Sequence, residues 1–216
     1  MACCCRHQAG RHQHIQSGRL LADGSSEFGI GLNGFIDKTK VAAWNIENPL
    51  HEVLPVLDVA GEPGPGVTSD ADEEILIYLP FTEFVRIRAV SIIGPGGPTN
   101  PSIVNFYVNS LEGSQGFDAV ANMRPAETLN LVDVAAQDEI LYLLDAAKFM
   151  SVGNLTVFIK HSFGGESSTV RRIAFYGEST KLPTERKVVA NVVYELRANP
   201  ADHKSGEEDK KKDLVL

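Results

Sequence analysis

Apolar residues recur at every second position through much of this chain and rarely at helical spacing. Val85-Arg86-Ile87-Arg88-Ala89 alternates apolar with polar, and the run then turns apolar through Ile92-Ile93. That pattern predicts a long strand passing from a solvated edge into a core. Residues 103–108, 155–160 and 170–176 predict further strands, as do 128–131, 139–144 and 187–196. The last of these carries the β-branched run Val188-Val189-Ala190-Asn191-Val192-Val193, which suits a half-buried strand. Gly94-Pro95-Gly96-Gly97-Pro98-Thr99-Asn100-Pro101 fits neither helix nor strand and predicts a loop. Helical turns are expected only at 116–123 and 145–150. Many short strands punctuated by Gly- and Pro-rich turns predict an all-β chain, an antiparallel sandwich or barrel.

The length of 216 residues gives room for one domain plus tails, and 43% hydrophobic with 22% charged residues fits a globular protein. Residues 1–26 have little to bury and predict a disordered Cys/His-rich leader. Residues 201–216 alternate acids with lysines and predict a charged flexible tail, leaving 27–200 for the domain. A net charge of −8 argues against general nucleic-acid binding and adsorption to anionic membranes. No apolar run approaches the ~18–20 residues of a membrane helix, and no apolar signal core opens the chain. A cytoplasmic location is therefore expected. In that setting the sequon Asn154-Leu155-Thr156 is expected to be idle.

Candidate chemistry is sparse. Cys3, Cys4, Cys5, His7, His12 and His14 could bind zinc or copper, but three adjacent cysteines do not offer the spaced pairs of a structural site. They also offer no disulfide framework, and the cysteine-free body excludes thioredoxin-type redox chemistry. Ser69-Asp70-Ala71-Asp72-Glu73-Glu74 clusters carboxylates that could bind calcium, yet it departs from the EF-hand loop and lacks its Gly. An acidic turn bonding its own backbone is the favoured reading. The loop at Gly94 lacks the Lys-Ser/Thr ending of a phosphate cradle and reads as a strand connection. Ser162, His161 and Asp145 could be named as a triad, but no nucleophile elbow surrounds any serine. No cofactor, metal or catalytic set is expected.

Asn199-Pro200-Ala201-Asp202-His203 reads as a polar turn closing the last strand. Asn199 before proline is pushed towards extended backbone, Pro200 fixes the next turn, and Asp202 can cap it, presenting His203 to solvent.

The acidic lead-in to Ile75-Leu76-Ile77-Tyr78-Leu79-Pro80-Phe81, the step Phe175-Tyr176-Gly177-Glu178 and the Ala198-to-His203 ending together resemble the PITH domain. The likeness covers residues 28–203 and is similar in its motifs to the small stand-alone members. It implies a jelly-roll β-sandwich related to the galactose-binding-like fold. It also implies a non-enzymatic protein-interaction module, with the proteasome or its regulatory particle as partner, acting as a monomer in the cytoplasm and also the nucleus. The implied recognition surface holds Asp70, Asp72, Glu73, Glu74, Asn199, Pro200, Asp202 and His203. Where family members often carry Cys-Leu-Asn, this chain has Ala43-Trp44-Asn45, and Trp44 is expected to fill core space. The alternative is a carbohydrate- or small-ligand-binding jelly roll. Against it, the loops at 94–102 and 164–168 hold no aromatic beyond neighbouring Phe163.

Overall fold

Eleven strands and two short helices follow one another in the computed structural model, which describes residues 15–16, 26–48, 50–110, 116–133 and 139–185. In chain order the strands are β1 Ile15–Gln16, β2 Ile30–Gly31, β3 Ala42–Trp44, β4 Val67–Thr68, β5 Ile75–Ile93 and β6 Pro101–Val108. They continue with β7 Glu127–Asn130, β8 Leu141–Leu143, β9 Val152–Ser162, β10 Thr169–Val170 and β11 Arg172–Pro183. The helices are α1 Leu50–Val53, continued by a 3-10 turn over Leu54–Leu57, and α2 Gly116–Ala121. Every strand pairing is antiparallel.

β5 organises the sandwich because it belongs to both layers. Its first half lies between β3 and β9, with Ala42 opposite Tyr78 and Ile77 opposite Val157. β6 and β7 extend that layer beyond β9. The second half of β5 lies between β11 and β8, with Phe175 and Tyr142 both opposite Val90. β2 and β1 complete that layer. The register with β9 breaks between Pro80 and Val85. Proline has no N–H to give the ladder, so a break in pairing just after Pro80 is physically natural. A second irregularity places Tyr176 and Gly177 opposite Ala89 and Ile87, leaving Arg88 as the extra residue of a bulge. The Arg88 carbonyl accepts the Leu144 N–H at 2.9 Å, which continues the pairing of β5 with β8.

Side-chain alternation then sorts the layers. Ile75, Ile77, Leu79 and Phe81 from one half of β5, with Val85 and Ile87 from the other, enter the main core beside Phe106, Val157 and Phe175. Phe81 meets Phe175 edge to face, as Phe106 meets Phe149. The intervening Leu76 and Tyr78 face outward, where α2 covers them: they cluster with Tyr107, Val120 and Phe158, and Trp44 and Phe117 pack alongside. Trp44 is thus half-buried on an outer face and not in the main core. Asn33 ties layers and turns together from a buried position. Its amide donates to the carbonyls of Leu57 at 2.9 Å and Ile173 at 2.7 Å, and its oxygen accepts the Phe175 N–H at 2.8 Å.

Two further expectations change. Residues 85–93 alternate because one face is partly solvated, but the strand is central, flanked by β8 and β11, and not an edge. Residues 15–16, expected within a disordered leader, form β1, where Ile15 lies opposite Tyr142. The open side of β8 supplies unpaired backbone groups that such a short strand can satisfy. The strand expected at 187–196, the tail and the Cys/His tract lie outside the described residues.

Candidate functional site

Loops converge where β3 and β9 end and β5 begins. Asn45, the residue after β3, adopts φ +57°, a left-handed conformation that asparagine tolerates better than most residues. That turn aims its carboxamide at the acidic loop of residues 69–74. The amide nitrogen donates to Asp72 Oδ1 and to the Glu74 carbonyl, both at 2.6 Å, while Oδ1 accepts the Ala71 N–H at 2.9 Å. Asp72 Oδ1 also accepts the Glu74 N–H at 2.9 Å. One side chain therefore winds the loop around itself.

Glu73 fastens the loop to the opposite strand end. Its Oε1 accepts His161 Nδ1 at 2.8 Å, and its Oε2 accepts the Ser162 N–H at 2.6 Å, with Ser162 Oγ at 2.9 Å. Ser168 Oγ donates to the Glu73 carbonyl at 2.6 Å, and the Ser168 N–H donates to Ser69 Oγ at 2.9 Å. The hydrogen bond from His161, then that from the Ser162 amide, holds the Glu73 carboxyl below the usual glutamate range against the opposing effect of burial. Glu74 moves the other way. Burial, and then the neighbouring Asp72 charge, raise its carboxyl.

The network continues into the glycine-rich loop. Phe163 N–H donates to the Asn100 carbonyl at 3.0 Å and Gly165 N–H to the Pro98 carbonyl at 2.9 Å. Asp133 Oδ1 accepts the Gly97 N–H at 3.0 Å and the Asn100 amide at 3.1 Å. An internal carboxylate thus occupies an amide that a phosphate cradle would need free. Asp70, Asp72, Asp133 and Glu166 remain exposed on this end, beside Phe163, itself 39% exposed.

The structure brings the four acidic residues of the expected surface together but divides their roles. Asp70 and Asp72 face solvent, while Glu73 and Glu74 are partly buried and Glu73 is spent on an internal latch. Asn199, Pro200, Asp202 and His203 lie outside the described residues. No triad assembles: Ser162 Oγ meets Glu73 directly, and Asp145 instead accepts the Ala147 N–H and pairs with Lys148. Among the described residues no group of three His, Cys, Asp or Glu is placed to hold a metal ion. Asn154 of the sequon sits in β9 with its Oδ1 buried. Asn45 and Asp133 were missed as organisers. An asparagine just after a strand is the one local sign of the first, and nothing local marks the second.

Residues 24–198 match the PITH domain profile. The chain belongs to the PITH domain family. PITH domain-containing protein 1 of Mus musculus is 34% identical over 139 residues, 64% of this chain and 63% of that relative's length. The Homo sapiens protein of the same name is also 34% identical, over 138 residues with the same coverage. The match therefore spans less than two thirds of these relatives. A PITH domain-containing protein of Caenorhabditis elegans is 27% identical over 193 residues, 84% of this chain and 86% of its own. In fold, the chain is similar to the CBM32-1 and CBM32-2 domains of Clostridium perfringens ZmpB, solved in complex with GalNAc. The TM-score is 0.53 at 11% identity, over 70% of this chain and 36% of that one. This PITH chain is accordingly an antiparallel jelly-roll β-sandwich of the galactose-binding-like kind.

Proposed function

We propose that this PITH chain is a non-enzymatic docking module whose acidic loop end engages a basic surface on a cytosolic protein complex, the proteasome or a related assembly. The observation that carries the proposal is the division of labour in residues 69–74. Asn45, Glu73 and the Oδ1 atom of Asp72 fix the loop, and Asp70, with the rest of the Asp72 carboxylate, is left exposed on it. A loop ordered before binding loses less entropy when it docks, which favours its use as a recognition surface. Rigid sandwiches that display functional loops are a recurrent arrangement. The tail residues Asn199, Pro200, Asp202 and His203 are proposed as a separate contact for the same partner.

The test is binding of the purified chain to purified 26S proteasome, compared with Asp70→Asn/Asp72→Asn and with Asp202→Ala/His203→Ala. Loss of binding in either variant at unchanged melting temperature supports the reading. Equal binding by wild type and both variants, or no binding by any, overturns it. Saturable glycan binding without proteasome binding would favour the carbohydrate reading. Among the described residues, the feature of this end that suits a sugar is the exposed Phe163 beside polar loops.

A further inference from the structure

Asn33-Gly34 is the only Asn-Gly step in the sequence. In an open chain such a step is chemically labile, because a following residue without Cβ leaves its nitrogen free to approach the asparagine side chain. The Gly34 nitrogen adds to Asn33 Cγ, its proton leaves with the side-chain nitrogen as ammonia, and a succinimide ring remains. One water then adds across either carbonyl–nitrogen bond of the ring, giving aspartate or isoaspartate. No oxidant, enzyme or cofactor takes part.

The fold withholds what this reaction requires. Ring closure needs the Gly34 nitrogen eclipsed with Asn33 Cβ, and the 3-10 turn over Asn33–Phe35 rotates it well away. Attack also needs a carboxamide that can turn. Here the amide nitrogen donates to the Leu57 carbonyl at 2.9 Å and the Ile173 carbonyl at 2.7 Å, and the oxygen accepts the Phe175 N–H at 2.8 Å. Leu32, fully buried, gives its own N–H to the Phe175 carbonyl at 2.8 Å, so the turn cannot rotate without leaving β11. Gly34 is exposed. Protection therefore comes from held geometry and not from exclusion of water.

We propose that Asn33 is a latent site of spontaneous deamidation. The folded chain is protected, whereas a chain that opens far enough to release Asn33 from β11 is modified and cannot close again. The products account for the one-way step. An aspartate carboxylate has no proton to donate at neutral pH, so it sets negative oxygen against the Leu57 and Ile173 carbonyls in a buried site. Isoaspartate adds a methylene to the backbone of a tight turn between buried Leu32 and Ile36. The site is separate from the acidic loop and does not depend on the docking proposal.

The test incubates the full chain in mildly alkaline buffer with and without guanidinium chloride. Peptide mapping by mass spectrometry then follows conversion of Asn33 to aspartate and isoaspartate. Conversion is expected in denaturant and at least about hundredfold more slowly without it, since release of the carboxamide breaks three buried hydrogen bonds. Gly34→Ala places a methyl group in open space in the folded chain and across the line of attack in the open one. It is expected to fold and to suppress conversion in denaturant. Asn33→Asp, expressed directly, is expected to yield little folded protein by circular dichroism. Equal rates with and without denaturant overturn the protection. Equal conversion of Gly34→Ala in denaturant overturns the assignment of the Gly34 nitrogen as the attacking group. Folding of Asn33→Asp with the wild-type melting temperature overturns the one-way step.

Discussion

The carboxylate of Glu73 and the backbone of Ser162 are joined by a 2.6 Å hydrogen bond across 89 positions of sequence. The same carboxylate takes His161 and the Ser162 hydroxyl, so one side chain couples the start of β5 to the end of β9. Glu73→Ala removes the acceptor and leaves the partly buried Ser162 amide and hydroxyl to find other partners. The expected cost is about 1–3 kcal/mol. In a domain of this size that is a fall of about 2–4 °C in melting temperature for each kcal/mol. Calorimetry measures it, and an unchanged melting temperature would show that the latch adds nothing.

Acid should loosen the same latch. The ordinary glutamate value is 4.5, and the folded Glu73 carboxyl titrates below it. Between these two values the unfolded chain binds more protons than the folded one. The Glu73 contribution is therefore fully present above pH 4.5 and is lost as pH falls through the folded value. Glu74 opposes this: its raised value means that ionisation costs the folded state something, and acid relieves that cost. The difference between wild type and Glu73→Gln isolates the first effect. The wild-type advantage in urea midpoint is expected to be present near pH ~6 and to shrink towards pH ~3. A constant advantage across that range contradicts the assignment.

Much of the sandwich is legible because period-2 alternation survives wherever a strand has one core face, as at residues 85–88. It fails for residues 75–81, buried on both sides: the core takes Ile75, Ile77 and Leu79, and α2 with Trp44 covers Leu76 and Tyr78. A run apolar on both faces does not announce that it continues into 85–93 as one strand. α1 and its 3-10 extension were also silent. Val53, Val56 and Leu57 do recur at helical spacing and are buried, but the segment is too short for a periodicity window, and Pro55 reads as a breaker. The acidic cluster was visible as composition. Its split into latch and exposed pair was not, since Asn45, His161 and Ser162 reach it only through tertiary contact.

Asn33 offers a sharper stability test than any core apolar residue. Its carboxamide satisfies two buried carbonyls and one buried N–H at once, from Leu57, Ile173 and Phe175. Asn33→Leu conserves approximate volume and strands all three. Each buried polar group left unpaired costs about 1–3 kcal/mol, so the total is expected to exceed about 3 kcal/mol. The denaturant midpoint should fall sharply, or the chain should fail to fold. A change under about 1 kcal/mol would mean that water replaces the amide.

Gly177 tests the bulge in β5. A Cβ built there would lie 1.9 Å from the Arg86 carbonyl oxygen, a backbone atom that cannot move without breaking the pairing of β5 with β11. Gly29, at φ +123°, approaches the same point from the other side: its Cβ would lie 2.1 Å from the Gly177 carbonyl oxygen. Three segments therefore close on one another with no room for a methyl group. Gly177→Ala is expected to abolish soluble folded protein, whereas Gly34→Ala, where a Cβ meets nothing within 4 Å, should be tolerated. Expression followed by circular dichroism compares the pair. Equal folding of both variants would mean that the strands separate at this point without loss, and that the bulge is not the fixed element that the register implies.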